Sequence, residues 1–189
     1  MLYEVRTYQL VPGSLSQVLD TFGEHYEHRK QFSELAAFFY TEIGPLNEII
    51  HIWPYADAKE RAEVRAAASQ SPHWPPPIRE HIINQRAEFY VPSAATPEWL
   101  TGDIGPYFEM RTYTQRPGSV EGTVEAWQNH IERRRALSPV VMSMFSDVGE
   151  LNRHLHIWAY KSLDERAAID RKSTRLNSSH QIISYAVFC

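Results

Sequence analysis

Cysteine is nearly absent from this chain. Of 189 residues only the last, Cys189, is one, which excludes an internal disulfide and leaves the lone thiol badly placed for catalysis. Basic charge is in deficit, with 19 Lys and Arg against 23 Asp and Glu for a net charge of −4. That balance excludes the basic footprint of a general nucleic-acid binder. No apolar run approaches the roughly 20 residues of a membrane-spanning helix. Met1-Leu2-Tyr3-Glu4-Val5 enters a strand-like pattern at once, leaving no room for a signal peptide. Also missing are a phosphate-cradling Gly loop, a nucleophile elbow, a paired-carboxylate signature and two His at the tight i, i+4 spacing on one helix. These absences predict a cytoplasmic protein without metal or cofactor, having neither nucleic acid nor membrane as partner. What is present, 43% hydrophobic and 22% charged residues, is the composition of a globular fold.

The text repeats itself at a shift of 105 residues without a gap. Tyr3-Glu4-Val5-Arg6-Thr7-Tyr8 returns as Phe108-Glu109-Met110-Arg111-Thr112-Tyr113, and Pro12-Gly13-Ser14 as Pro117-Gly118-Ser119. His25 and Arg29 fall on His130 and Arg134, Leu46-Asn47 on Leu151-Asn152, and His51-Ile52-Trp53 on His156-Ile157-Trp158.

Within a repeat the periodicity changes in order. Leu2 to Gln9 alternates as a strand, and Pro12-Gly13 turns the chain with Ser14 placed to cap a helix. Leu15, Val18, Leu19, Phe22 and Tyr26 then form one apolar helical stripe through about Lys30. Ala36 to Ile43 and Asn47 to Tyr55 read as a hairpin about Gly44-Pro45. Asp57 to Ser69 reads as a helix. After the stiff, aromatic His73-Trp74-Pro75-Pro76-Pro77, a connector or a lid, comes a short helix, and Arg86 to Val91 closes the unit as a strand. The order β-α-β-β-α-β is the ferredoxin-like arrangement. Residues 1–91 are thus a first unit, 92–106 a linker and 107–169 a second unit.

The repeat fails from Asp170 onward. Written as codons, Asp170 to Cys189 is similar to a translated short-read sequencing adapter and is expected to be non-native. Setting it aside removes Asp170, Arg171, Lys172 and Arg175 and leaves 16 basic and 22 acidic residues, a net charge of −6. The second unit is then expected to lack its later helix and fourth strand, exposing a sheet edge. The strand-like segment Ile182 to Phe188 is expected to settle there.

The motifs Tyr3-Glu4-Val5-Arg6-Thr7-Tyr8, Pro12-Gly13, Leu46-Asn47, His51-Ile52-Trp53 and Tyr55, present in both repeats, resemble the NIPSNAP family. The resemblance implies an α+β fold of the dimeric α+β barrel superfamily, here a pseudo-dimeric barrel made by two tandem ferredoxin-like units with the second truncated. That superfamily houses cofactor-independent monooxygenases, haem enzymes and small isomerases, so the fold leaves the chemistry open. The resemblance also extends to animal relatives that are mitochondrial, a role not expected to carry over because no mitochondrial presequence is evident.

Alternation along the strands sorts the shared polar residues onto faces. Arg6, Tyr8, Asn47, His51 and Trp53, with Arg111, Tyr113, Asn152, His156 and Trp158, share one face. The opposite, aliphatic face is expected to take the helices, so this set is expected to point into the space between the sheets and bind a small molecule. His51 and His156 are the candidate acid or base, and Arg6 and Arg111 suit a carboxylate or oxyanion. His25 and His130, one turn from Arg29 and Arg134, are further ligand-binding candidates. Three readings stand open: a small-molecule binder, a cofactor-independent oxygenase or isomerase, and a non-catalytic interaction scaffold that pairs through its outer faces; beside them stands a purely structural role, in which these polar groups satisfy one another and fix the pairing of the two halves. Self-association into a homo-oligomer is also open.

Overall fold

The computed structural model describes residues 1–97, 104–176 and 187–188. By its contacts the chain divides into two units, Met1–Val91 and Pro92–Cys189. The first carries β1 (Leu2–Leu10), α1 (Leu15–Arg29), β2 (Ala37–Tyr40), β3 (Glu48–Tyr55), α2 (Ala58–Ser69), a 3-10 turn (Arg79–His81) and β4 (Ile82–Pro92). Its strands lie in the order β2-β3-β1-β4, each pair antiparallel, as a ferredoxin-like unit requires. Strand β4 begins earlier than the sequence pattern predicts. Ile82, Asn84 and Gln85 pair with Leu10, Gln9 and Tyr8 across a register shift at Gln9/Leu10, so the ladder of β1 overrides the weak strand preference of Asn and Gln.

The helix starts use different devices. Ser14 makes no side-chain cap on α1; its Oγ donates to the Val11 carbonyl at 2.7 Å, closing the turn in which Gly13 holds φ +86°. Helix α2 is capped from both sides of its first turn. Asp57 Oδ1 accepts from the N–H groups of Lys59 and Glu60, each at 2.9 Å, while Glu60 accepts from the N–H of Ala56.

The second unit repeats the plan with β5 (Tyr107–Thr114), α3 (Val120–Arg135), β6 (Val140–Val148), β7 (Arg153–Tyr160), α4 (Leu163–Leu176) and β8 (Val187–Phe188). Its strand order is β6-β7-β5-β8. The later helix, expected to be missing, is present as α4. Residues 170–176 extend it, because Arg, Lys and Leu are good helix formers and Asp170 pairs with Arg111 at 3.1 Å. Of the segment 182–188 the described residues are Val187 and Phe188, which pair with Met110 and Glu109. The expected linker is also less free than its composition suggests. Ser93 N–H donates to the Ser143 carbonyl at 2.9 Å, and Ala95 is buried in one cluster with Ile131, Trp158 and Tyr160.

Strand alternation is as expected, but the helices cover the other face. Tyr8, Ile49, Trp53 and Tyr55 form one buried cluster with Val18 and Phe22 of α1. The face carrying Arg6 and His51 therefore lies beneath the helix, and does not point away from it. The reason is apolar area: Tyr and Trp offer large ring surfaces under their polar tips, enough to bury the stripe of α1. Val5, Ile50 and Ile52 of the opposite face are also buried.

Candidate ligand pocket

Between the helix-covered face of the first sheet and the segment after α2 lies a cleft of about 630 Å³. Strand β1 supplies Arg6 and Tyr8, β3 His51 and Trp53, α1 Phe22 and Arg29, and α2 Arg65; Trp74 to Arg79 and the start of β4 complete the wall. Its aromatic surfaces touch: the Trp74 ring meets Phe22 at 5.5 Å and Trp53 at 6.1 Å between centroids. Among the described residues four arginines line the cleft and no Asp or Glu does.

His51 is 2% exposed, and its tautomer is fixed by its neighbour. Trp53 Nε1–H donates to His51 Nδ1 at 2.6 Å. Indole nitrogen can only donate, so Nδ1 is the acceptor and the ring proton sits on Nε2. That Nε2 is buried without a hydrogen-bond partner. Burial, reinforced by the charges of Arg6, Arg65 and Arg29, holds the imidazole pKa well below its usual value, so the ring is neutral at pH 7. A neutral imidazole in this tautomer has no free lone pair to take a proton; it offers an N–H to an oxygen. The same geometry recurs at a shift of 105, where Trp158 Nε1–H donates to His156 Nδ1 at 2.7 Å and His156 Nε2 is buried without a partner.

Arginines hold the site from both sides. Glu4, fully buried, accepts from Arg6 at 2.8 Å and Arg61 at 2.6 Å, with Arg65 at 3.7 Å. Burial raises the Glu4 pKa, but the Arg61 hydrogen bond and the Arg6, Arg65 and Arg61 charges outweigh it and leave the carboxyl below its ordinary value. Glu4 thereby ties β1 to α2 and aims Arg6, whose Nε donates to the Tyr8 hydroxyl at 2.9 Å. Arg29 is different. It is 2% exposed and donates to Ser33 Oγ at 2.9 Å and to the Tyr55 hydroxyl at 3.3 Å, with its guanidinium 4.3 Å from the Trp53 ring centroid. Burial is the main reason its pKa is lowered.

The predicted residues divide. Arg6, Tyr8, His51 and Trp53 line the cleft. Asn47 is not part of the cleft wall; at φ 59° and 58° Asn47 and Asn152 are left-handed turn residues, and their carbonyls accept from the N–H groups of Leu10 and Gln115. His25 Nδ1 is spent on the Thr21 carbonyl at 2.9 Å, and His130 is exposed. Arg111 bonds Glu109 and Asp170, and the Tyr113 ring packs beside His156 at 5.3 Å. Sequence reasoning left Arg29, Arg65 and Arg79 out of the site. The signal for Arg29 was its match in the other repeat, where Arg134 donates to Ser138 and Tyr160 as Arg29 does to Ser33 and Tyr55. In the second unit Trp127 stands where the first has Phe22, its ring 4.7 Å from His156 and 4.5 Å from His154. Among the described residues no group of three His, Cys, Asp or Glu is placed to hold a metal ion, and no helix is long and apolar enough to cross a membrane.

A family model described as NIPSNAP matches residues 3–97 and 108–187. Protein NipSnap homolog 3B of Homo sapiens is 30% identical over 183 residues, which take in 90% of this chain and 72% of that protein. A Protein NipSnap homolog of Dictyostelium discoideum is 39% identical over 83 residues, 44% of this chain and 37% of its own length; the chain thus spans little over a third of that relative. Among solved structures, a protein of Agrobacterium tumefaciens is 36% identical at a TM-score of 0.50, the match covering 51% of this chain and 98% of that one. A structure described as a putative monooxygenase from Lactobacillus acidophilus is 8% identical at a TM-score of 0.68, covering 99% and 93%. A similarly described one from Fusobacterium nucleatum gives 0.66. At such identity the likeness is one of fold alone, an α+β fold.

Proposed function

The chain belongs to the NIPSNAP family, and from that premise we propose that its first unit binds a small molecule in the cleft between its sheet and its helices. The observation that carries this reading is the unpartnered Nε2–H of His51 in the cleft wall. A buried donor without a partner costs about 1–3 kcal/mol, a cost that a bound oxygen removes. The aromatic walls supply apolar contact, the arginines polar contact, the usual division of labour in a small-molecule site. His51 serves as a hydrogen-bond donor in this reading, the role a neutral imidazole fills when it polarises a carbonyl oxygen, and not as the general base.

The test uses the repeat's own alternative side chain. Phe22→Trp places in the first unit the ring that Trp127 supplies in the second, and it is expected to fill the space over His51. Small carbonyl and carboxylate compounds are screened by thermal shift against the wild-type 189-residue protein and the variant. Compounds that raise the midpoint of the wild type are expected to lose that effect in Phe22→Trp; stabilisation of both proteins alike places binding elsewhere and ends the proposal.

A further inference from the structure

The charged groups facing the cleft are of one sign, and the neutral polar residues beside them are Tyr8, His51, Asn84 and Gln85. Arg29 is a buried cation that forms no ion pair among the described residues, and Arg79 at the rim lines the same cleft. His51 can only donate from Nε2, because its Nδ1 is occupied by Trp53. Among the described residues no carboxylate lines the wall. The Glu4 carboxylate lies behind it, engaged by Arg6 and Arg61. Around these donors the surfaces are flat rings, Phe22, Trp53 and Trp74, and the Arg29 guanidinium lies 4.3 Å from the Trp53 ring and 5.8 Å from that of Trp74. A cationic ligand meets repulsion here, and a neutral one leaves the Arg29 charge, hydrogen-bonded to Ser33 and Tyr55, without a counter-charge.

We infer that the pocket takes a small aromatic oxyanion, a carboxylate or an enolate, with its ring packed against Trp74 and Phe22 and its charged oxygens among His51 Nε2, Arg29 and the guanidinium of Arg79. The inference rests on the reading of the cleft as a small-molecule site and adds the charge and shape of the occupant. The neutral His51 ring matters for this chemistry. It donates to the oxyanion without carrying a charge of its own that burial would penalise, while the arginines supply the positive field.

The test compares three probes of one shape by titration calorimetry on the full chain: benzoate, benzamide and benzylamine. Benzoate is expected to bind at least tenfold more tightly than benzamide, with benzylamine weakest. Arg79→Gln, a change at an exposed position, is expected to weaken benzoate several-fold and benzamide by less. Phe22→Trp is expected to abolish the binding of every probe. Benzamide within threefold of benzoate, or benzylamine as the tightest, overturns the oxyanion assignment while the pocket stands. Failure of all three probes to bind, or benzoate binding that survives Phe22→Trp, overturns the pocket and the assignment together.

Discussion

Acid is expected to unfold this protein through its buried histidines, and His154 gives the cleanest measure. His154 is 1% exposed, and burial lowers its pKa from 6.5 to about 4. At pH 7.5 the imidazole is neutral both folded and unfolded and contributes no pH dependence. As the pH falls below 6.5 the unfolded chain binds a proton that the native state refuses, so stability is lost progressively until the native ring also protonates near pH 4. Linkage then gives a loss of about 1.4 kcal/mol from this one residue between pH 7.5 and 5.5. His51 and His156, also lowered by burial, act in the same direction. The perturbation is His154→Ile, which installs the residue found at the matching position of the first repeat, where Ile49 is fully buried. Urea unfolding of wild type and variant at pH 7.5 and 5.5 separates the terms. The basal stability changes through loss of the contact with Ser143, now 3.0 Å, but that loss is common to both pH values. The stability lost on acidification is expected to be about 1.4 kcal/mol smaller in the variant. An equal loss in both proteins refutes the assignment of a neutral, desolvated His154.

Other outcomes follow from the same geometry. Trp53→Phe removes the donor that fixes the His51 tautomer, a bond worth about 1 kcal/mol; nitrogen NMR of the imidazole is expected to change from a single Nε2–H form to a mixture, and an unchanged spectrum sinks the lock. Glu4→Gln leaves Arg6 and Arg61 without their carboxylate and is expected to cost about 2–4 kcal/mol in urea unfolding, discounted because the arginines are partly solvated; a neutral result shows the cluster to be dispensable. Asn47→Ala forces a Cβ residue with no side-chain compensation into a left-handed turn and is expected to lower stability by about 1 kcal/mol, whereas Asn47→Gly is expected to be close to neutral. Resequencing the source locus past codon 169 is expected to give text unlike Asp170 to Cys189, and a genomic copy of that segment refutes the adapter reading.

Much of the fold was legible in the residues. The alternation of Leu2 to Gln9, the stripe from Leu15 to Tyr26 and the Gly44-Pro45 turn each carry a local physical signal, and the second repeat carries a counterpart of each, with Gly149-Glu150 at the turn. The candidate site was half legible. Arg6, Tyr8, His51 and Trp53 were found because strand alternation puts them on one face; Arg29 was passed over for His25 because both lie on the same helix and spacing alone does not say which side chain reaches the sheet. Asn47 was misassigned because a residue between two strands reads as strand when its φ is unknown, although Asn after Gly44-Pro45 is a natural left-handed turn former.

The sequence by itself determined the repeat, the order of elements, the family and the pairing of His51 with Trp53, since residues two apart on a strand must share a face. Only the tertiary structure decided which face the helices cover. Alternation divides a strand into two sets without ranking them, and here both sets carry enough apolar surface to receive a helix: Tyr8, Trp53 and Tyr55 on one side, Val5, Ile50 and Ile52 on the other. The pocket depended on that choice, and on a segment some 20 residues beyond β3 folding back to set Trp74 and Arg79 against it. Contacts at such separation are fixed by packing, which no local pattern in the chain records.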